Sequence, residues 1–530
     1  MTIHAPDHPF FLPPRTGENS GVDFLGLRQV NLDMMAEMIP STNNVTDYIR
    51  PFSLMSWVFW KFYDLCAASG IEEPSREDID RFRERIEVLF SWGARLHETS
   101  GRVPGTGAAP PSPSTDGRVP LTFKNWKRVQ DSTSLIAALW YGPASKIVTG
   151  LGFLMPVPGY TGFFRTTGPG IRLAEALDTR LRQNQEHYDR LLATLKPVMA
   201  SESDAIALWE LWSPEETTEG EREAFVSSLY SADEVGSTKS LLGKRSTTLA
   251  LVLHHLTRCS ATVAVPEIRS GMALSVSQDG EPYDLPDELV AARNNWLTLQ
   301  MRQLQRLSME CLLSWCERSI LNDRINETGA MAERFNVDWD GGKHGFENAR
   351  TLSAMIAALD EQANDTDSFI QAVLEKRLPN PFDIMNEIQQ LFKSGDPAYA
   401  QYSFTGILLC VAYAGVEGEG DRLLRLGGPG RVSLDNLRRR LIGLGDVSVR
   451  EAFQFILESM IISQHFSTAV NRFDGQNQRL RLTIEETGLE VLVGKPWEPT
   501  VTEDRLATLL SLAAQSGLVA RHEDGYLVVG

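Results

Sequence analysis

Apolar positions along this chain fall mostly at helical spacing, but one stretch is apolar on every side. Between residues 48 and 66, Phe52, Trp57, Phe59, Trp60, Phe62 and Tyr63 crowd into twelve positions. A helix without a polar face has to be covered by other elements. The uncharged run from Pro51 to Trp60 is closed by Arg50 and Lys61, far short of the ~20 residues that a bilayer span needs. The pattern predicts a helix over residues 46–68. It is either the core helix of an N-terminal domain or a docking face for a partner, with Trp57 and Trp60 as the contact residues.

The flanking patterns are more ordinary. Leu25, Leu27, Val30, Leu32, Met34, Met35 and Met38 predict a short amphipathic helix stopped by Pro40. Ser41, Thr42, Asn43 and Asn44 read as a turn that caps the next helix, with Asp47 near its positive end and Pro51 in its first turn. Residues 72–97 carry Ile79, Phe82, Ile86, Leu89, Phe90 and Trp92 on one face. Arg76, Glu77, Asp78, Arg81, Arg83, Glu84 and Arg85 predict that the other face is solvated. Residues 100–120, SGRVPGTGAAPPSPSTDGRVP, hold too much Pro, Gly and Ser for a core and read as a linker or a mobile loop.

Past the linker, a helix near 132–139 leads to short apolar runs at 154–157 and 162–166 around the turn residues 158–161. That is the pattern of a helix followed by a β-hairpin. The next residues, TTGPGIRLAEA, are similar to the strand-to-helix exit of winged-helix proteins, which often read Leu-Thr-Pro-x-Gly-x-x-Leu-Ala. The chain's end repeats the theme: Thr502, Glu503 and Asp504 precede a Leu-rich helix, Gly517 stops it, and two runs flank the turn 522–525. Alternation at 479–483 predicts a third strand for that small sheet. Between these modules the periodicity is helical throughout (205–212, 241–260, 287–320, 346–361, 365–378, 381–393, 402–413 and 449–473), with no fixed-period repeat.

The expected fold is therefore mainly α, a multidomain helical protein with two winged-helix-like modules carrying small β-hairpins. Its expected parts are a helical domain over 1–99, the linker 100–120, a winged-helix-like module over 121–200, a helical middle over 201–430, and Arg-rich helices with a C-terminal winged-helix-like module over 431–530. A length of 530 residues fits several domains.

Composition narrows the setting. Five cysteines, mostly inside apolar helical segments, fit a reducing cytoplasm better than a disulfide framework. The opening residues MTIHAPDHPFFLPP lack the basic and apolar regions of a signal peptide, so the Asn44-Val45-Thr46 sequon carries no weight. A net charge of −18 argues against a surface that coats nucleic acid.

Candidate chemistries fail one by one. Six residues separate Gly236 from Gly243, where a phosphate loop needs four, and Arg245 splits Lys244 from Ser246; a helix cap at Ser237 or Ser246 is the better reading. His255 and Cys259 share a helix face, with His254 and Cys311 elsewhere, but no four-ligand zinc pattern answers them, and a buried core histidine fits better. Glu215, Glu216, Asp279, Glu281, Glu485 and Glu486 stand in polar contexts unlike the apolar pocket that general acid work requires. No catalytic, metal or cofactor site emerges.

One electrostatic feature stands out. Residues 421–481 hold ten arginines against six carboxylates in an otherwise acidic chain. Arginine suits bidentate phosphate contact; the alternative is pairing with an acidic body or partner. The candidate nucleic-acid contacts are Lys146, Arg165 and Arg172 around the first wing, and Arg438, Arg439 and Arg440 before the second.

Leu25-Gly26, the Ile39-Pro40-Ser41-Thr42 turn, Asn44-Val45-Thr46, Arg50 and the aromatic run after it resemble the opening of large bacterial proteins from gene neighbourhoods for defence against phage and foreign DNA. The resemblance implies a subunit working beside separately encoded ATPases or nucleases. Together these readings describe a non-enzymatic cytoplasmic subunit of a bacterial anti-phage or DNA-processing complex, without a cofactor or membrane contact, that binds double-stranded DNA, partner proteins or both. The alternative is an enzyme whose site is assembled from dispersed residues.

Overall fold

A computed structural model describes residues 23–98, 103–158, 162–417, 433–471, 480–523 and 525–529. The fold is mainly helical, with four two-stranded antiparallel sheets among the described residues. Its chain divides into two compact units, each built from separate stretches. One joins the stretch ending at Met34 to Asn294–Thr502; the other joins Met35–Arg293 to the stretch from Glu503 onwards.

In the second of these, the aromatic helix Arg50–Ala68 is the centre. It packs on helices Arg76–Leu96 and Gly168–Leu181 and on strand Phe164–Thr166. Phe52 meets Tyr141, Phe153 and Phe225 at ring distances of 5.0–5.8 Å, and Phe59 meets Phe164 at 5.4 Å. Pro51 lies in the first turn as expected, but the helix starts four residues later than the pattern suggests and has no side-chain cap. Asn43 closes its own turn instead, accepting from the Val45 amide at 3.0 Å.

Helix Arg76–Leu96 opens with a Ser75–Asp78 capping box. Its charged face is only partly solvated: Arg83, Arg85 and Glu87 are buried. Residues 103–145 contain little regular structure, so their polar groups need partners, and this face supplies them. Glu87 accepts from Ser134 Oγ and the Leu135 amide. Arg85 donates to the carbonyls of Thr194 and Lys196, without a carboxylate, and burial lowers its pKa to about 10.

The first expected hairpin is present, Leu154–Pro156 against Phe164–Thr166, with Met155 opposite Arg165. The helix expected near 132–139 is a single turn, Gln130–Thr133, followed by another, Gly142–Ser145. After the hairpin, Thr167 caps helix Gly168–Leu181.

The other unit is organised by the long helix Asp287–Asp323 from Asn294 onwards. Helix Tyr399–Tyr413 runs antiparallel to it, with Thr298 on Tyr413, Met301 on Cys410 and Ser308 beside Gly406. A Cβ on Gly406 would come within 2.6 Å of Ser308 Oγ and 2.9 Å of Leu304, so a larger residue there would push those side chains aside. Among the described residues no strand lies between 205 and 473, as the periodicity predicts.

On the long helix a stripe of polar residues faces the mostly irregular segment 481–502. Gln303 and Thr502 exchange two hydrogen bonds, at 2.5 and 3.2 Å. Ser314 donates to the Trp497 carbonyl at 2.6 Å, and Glu317 accepts from the Trp497 amide. Arg481 holds Glu317 through two nitrogens, at 2.5 and 2.9 Å. The strand expected at 479–483 lies at Leu482–Glu485 and pairs with Gly488–Val491, so it does not join the C-terminal hairpin.

Candidate interaction surfaces

The hairpin at 154–166 has an inner and an outer face by strand alternation. Leu154 and Phe164 point inward and are buried; Met155 and Arg165 point outward. Ile147 joins the sheet edge by donating its amide to the Leu154 carbonyl at 2.9 Å. Ile147, Val148 and Met155 are 49%, 76% and 45% exposed. The outside of the hairpin is thus an apolar patch beside the outward Arg165. Its candidate cations lean on aromatic rings: Lys146 lies 5.6 Å from the Phe164 ring and Arg165 5.0 Å from that of Tyr63. Arg172 is exposed on helix Gly168–Leu181.

Trp57 and Trp60 part company. Trp57 is fully buried and donates Nε1–H to Asp178 at 2.8 Å. Asp178 also accepts from Tyr188 and Arg182; these donors hold its carboxyl below the usual range against the opposing effect of burial. Trp60 is half-exposed on the same helix, with the Lys61 ammonium 5.7 Å from its ring.

The C-terminal hairpin, Val519–His522 against Gly525–Val528, is joined by a single bridging residue from an unexpected place. Val263 and Tyr526 exchange two backbone hydrogen bonds of 2.9 Å. Helix Leu241–Leu256 packs on the hairpin and on helix Val265–Leu274, which in turn touches helix Leu506–Gln515. In chain order the module is helix, bridging residue, helix, helix, hairpin, interrupted between residues 274 and 506. The outer helix is covered within its own unit. Thr508 donates to the Asp47 carboxylate at 2.8 Å, Ser511 and Gln515 to the Asp47 carbonyl, and the Ile49 amide donates to Gln515 at 3.0 Å.

The three clustered arginines are separated by function. Arg438 grips Asp360 with two nitrogens at 2.8 and 2.9 Å and donates to the Val411 carbonyl. Arg440 donates to the Ser459 carbonyl and lies 5.5 Å from the Phe455 ring. Arg439 is exposed and pairs with Asp435 at 3.2 Å. Arg422, Arg425, Arg431, Arg472 and Arg479 lie outside the described residues.

One thiol–imidazole contact could suggest nucleophilic chemistry. Cys259 Sγ is 3.7 Å from His255 Nε2, and His255 Nδ1 is 3.1 Å from the Tyr283 hydroxyl, which donates to the Gly271 carbonyl. With the proton assigned to Nδ1, every group is satisfied with the ring neutral. Burial lowers the His255 pKa to about 4 and raises that of Cys259, opposite to the directions an activated thiolate needs. The cap falls at Ser240, which accepts from the Gly243 amide, rather than at Ser237 or Ser246; residues 241–246 already belong to helix Leu241–Leu256, and Lys244 pairs with Glu37. Among the described residues no group of His, Cys, Asp and Glu has the arrangement of a metal site, and no helix is long and apolar enough to cross a membrane.

No family model matches this chain, and no match was found among curated proteins or solved structures.

Proposed function

We propose that this chain is a non-enzymatic cytoplasmic subunit of a bacterial anti-phage or DNA-processing complex, and that its winged-helix-like modules engage partner proteins. Helix, bridging residue, helix, helix and hairpin, the order of residues 241–274, 506–522 and 525–528, supports the winged-helix-like reading, because such a module follows that chain order. The observation that carries the preference for protein over DNA is the cover on helix Leu506–Gln515: the helix such a module would lay in a DNA groove is bonded to Asp47 and Ile49. The exposed apolar patch of Ile147, Val148 and Met155 supports the same preference, because such a patch suits a protein partner better than a phosphate backbone. The setting rests on the resemblance of residues 25–63 to proteins of defence neighbourhoods.

The test is co-purification of the full chain with proteins encoded beside its gene, alongside binding of a 20-base-pair duplex across a salt series. The expected result is a stable complex that is lost on V148D/M155D, with no salt-dependent duplex affinity. Duplex binding that weakens with salt and is reduced by changing Arg438, Arg439 and Arg440 together to Ala would overturn the preference.

A further inference from the structure

Where helix Thr328–Asp338 begins, the long-helix unit contains a cavity of about 630 Å³. That lies within the ~300–1,000 Å³ range of small-molecule sites. Its apolar wall is Ile462, Phe466, Ile484 and Leu489. Two carboxylates, Glu327 and Glu458, line it, and among the described residues neither Lys nor Arg does.

Each wall has a structural cause. Ile484 and Leu489 are opposite partners in the hairpin Leu482–Glu485/Gly488–Val491, so their side chains share one face. Leu489 is buried against the helices, while Ile484 reaches past them and is 66% exposed over the opening. Glu458 and Ile462 stand on a π-helical segment, Ile456–Ile462, inside an otherwise regular helix. Such segments cost hydrogen-bond quality and recur at functional sites. Thr328 Oγ1 at 2.6 Å and Gln454 Nε2 at 2.9 Å both donate to Glu458 Oε1. One oxygen is therefore fixed, and Oε2 remains the acceptor for a ligand.

We propose that this cavity binds a small organic cation, an apolar body of pocket size carrying one ammonium group. The body lies against Phe466, Ile462, Leu489 and Ile484. The ammonium donates to Glu458 Oε2, with Glu327 supplying the second negative charge. A carboxylate or phosphate ligand would meet two like charges and, among the described residues, no cation. This site is independent of the partner-binding reading, since none of its residues belongs to the modules discussed there.

The probe is 4-phenylbutylamine, titrated calorimetrically into the full chain, with 4-phenylbutan-1-ol as its neutral match. The expected result is one saturable amine site, with the alcohol weaker by about tenfold, the usual scale of one charge-assisted hydrogen bond. E458Q should weaken the amine by about tenfold and leave the alcohol unchanged; I484S should weaken both. Because Glu458 also holds Thr328 and Gln454, E327Q at an exposed position serves as the second variant, with a smaller loss for the amine alone. Equal binding of amine and alcohol, no saturable amine site, or amine affinity unmoved by both carboxylate variants would overturn the proposal.

Discussion

Two helices are buried in this protein for opposite reasons. The aromatic helix Arg50–Ala68 is covered because it offers water almost nothing polar; Phe52, Leu54, Trp57, Val58, Phe59 and Phe62 are all within the core. The long helix is covered just as fully from Asn294 to Ser319, yet Gln303, Arg306, Glu310, Ser314 and Glu317 are among its buried residues. Burying those groups unpaired would cost several kcal/mol each. They are tolerated because segment 481–502 answers them one after another. Apolar burial is indifferent to which element covers it, whereas polar burial specifies the covering segment.

The largest expected effect lies in the ion pairs, and it tests whether the two regions differ in kind. Glu317 and Arg481 are buried and bidentate in one unit, as are Arg50 and Glu221 in the other. Glu317→Leu and Glu221→Leu should each cost about 3–5 kcal/mol in urea unfolding, because the arginine is left buried without its partner. Adding Arg481→Met to Glu317→Leu should recover much of that loss. If Glu317→Leu is neutral, the stripe is not what holds segment 481–502.

Much of the aromatic helix was legible because its signal is local: six aromatics in twelve residues leave no solvent face. Both hairpins were legible for the same reason, since turn residues and short apolar runs adjoin in sequence. The polar stripe was not. Its spacing, 303, 306, 310, 314 and 317, is helical, and Arg306 pairs with Glu310 four residues on, but the partners of Gln303, Ser314 and Glu317 lie some 160–200 residues away. The Val263–Tyr526 pairing was hidden in the same way: a two-bond bridge carries no periodicity, and 479–483 offered a more obvious strand. Charges on residues 76–85 suggested solvent for Arg83 and Arg85; pairing with Ser134 and the carbonyls after Leu191 decided otherwise. At the candidate surfaces, residue type alone marked Arg438 as free for phosphate, and only Asp360 revealed its structural role.

Acid should loosen both regions, through at least one histidine in each. His255 is held neutral between Cys259 and Tyr283, with a pKa lowered from 6.5 to about 4 by burial. His465 is lowered in the same direction; in its neutral form Nδ1–H donates to the Phe24 carbonyl, and Nε2 accepts from the Arg481 amide. The unfolded chain takes up these protons first, so the stabilisation is complete above pH 6.5 and is lost as pH falls, for His255 toward 4. For His255 alone the loss amounts to about 3 kcal/mol. Melting temperature measured from pH 7 to 4.5 should fall less steeply in His255→Asn. An unchanged slope would show that this ring does not govern the acid response.

A smaller effect isolates the polar contact made by Trp57 in the middle of the aromatic helix. Trp57→Phe keeps most of the ring's apolar area but removes the donor to Asp178. The expected cost is about 1–3 kcal/mol, the range for an unsatisfied buried group. Because Tyr188 and Arg182 still donate to that carboxylate, the lower end is the expectation. A loss as large as that of Glu317→Leu would erase the distinction between the two helices.

The smallest effect is also the most direct test of how segment 481–502 is specified. Ser314 sits midway along the stripe, fully buried, and donates to the Trp497 carbonyl at 2.6 Å. Ser314→Ala removes one oxygen and leaves almost no cavity. It also raises helix propensity slightly, by a few tenths of a kcal/mol. A helix buried only by apolar packing would therefore gain from the change. If the stripe determines the covering segment, the Trp497 carbonyl loses its donor and the protein loses about 0.5–1.5 kcal/mol. Hydrogen exchange of the Trp497 amide, which donates to Glu317 at 2.6 Å, reports on the same contact locally. Faster exchange there, with unchanged exchange in helix Tyr399–Tyr413, would place the loss at the ladder. A stabilised variant with unchanged exchange would mean that segment 481–502 is held by its apolar residues alone.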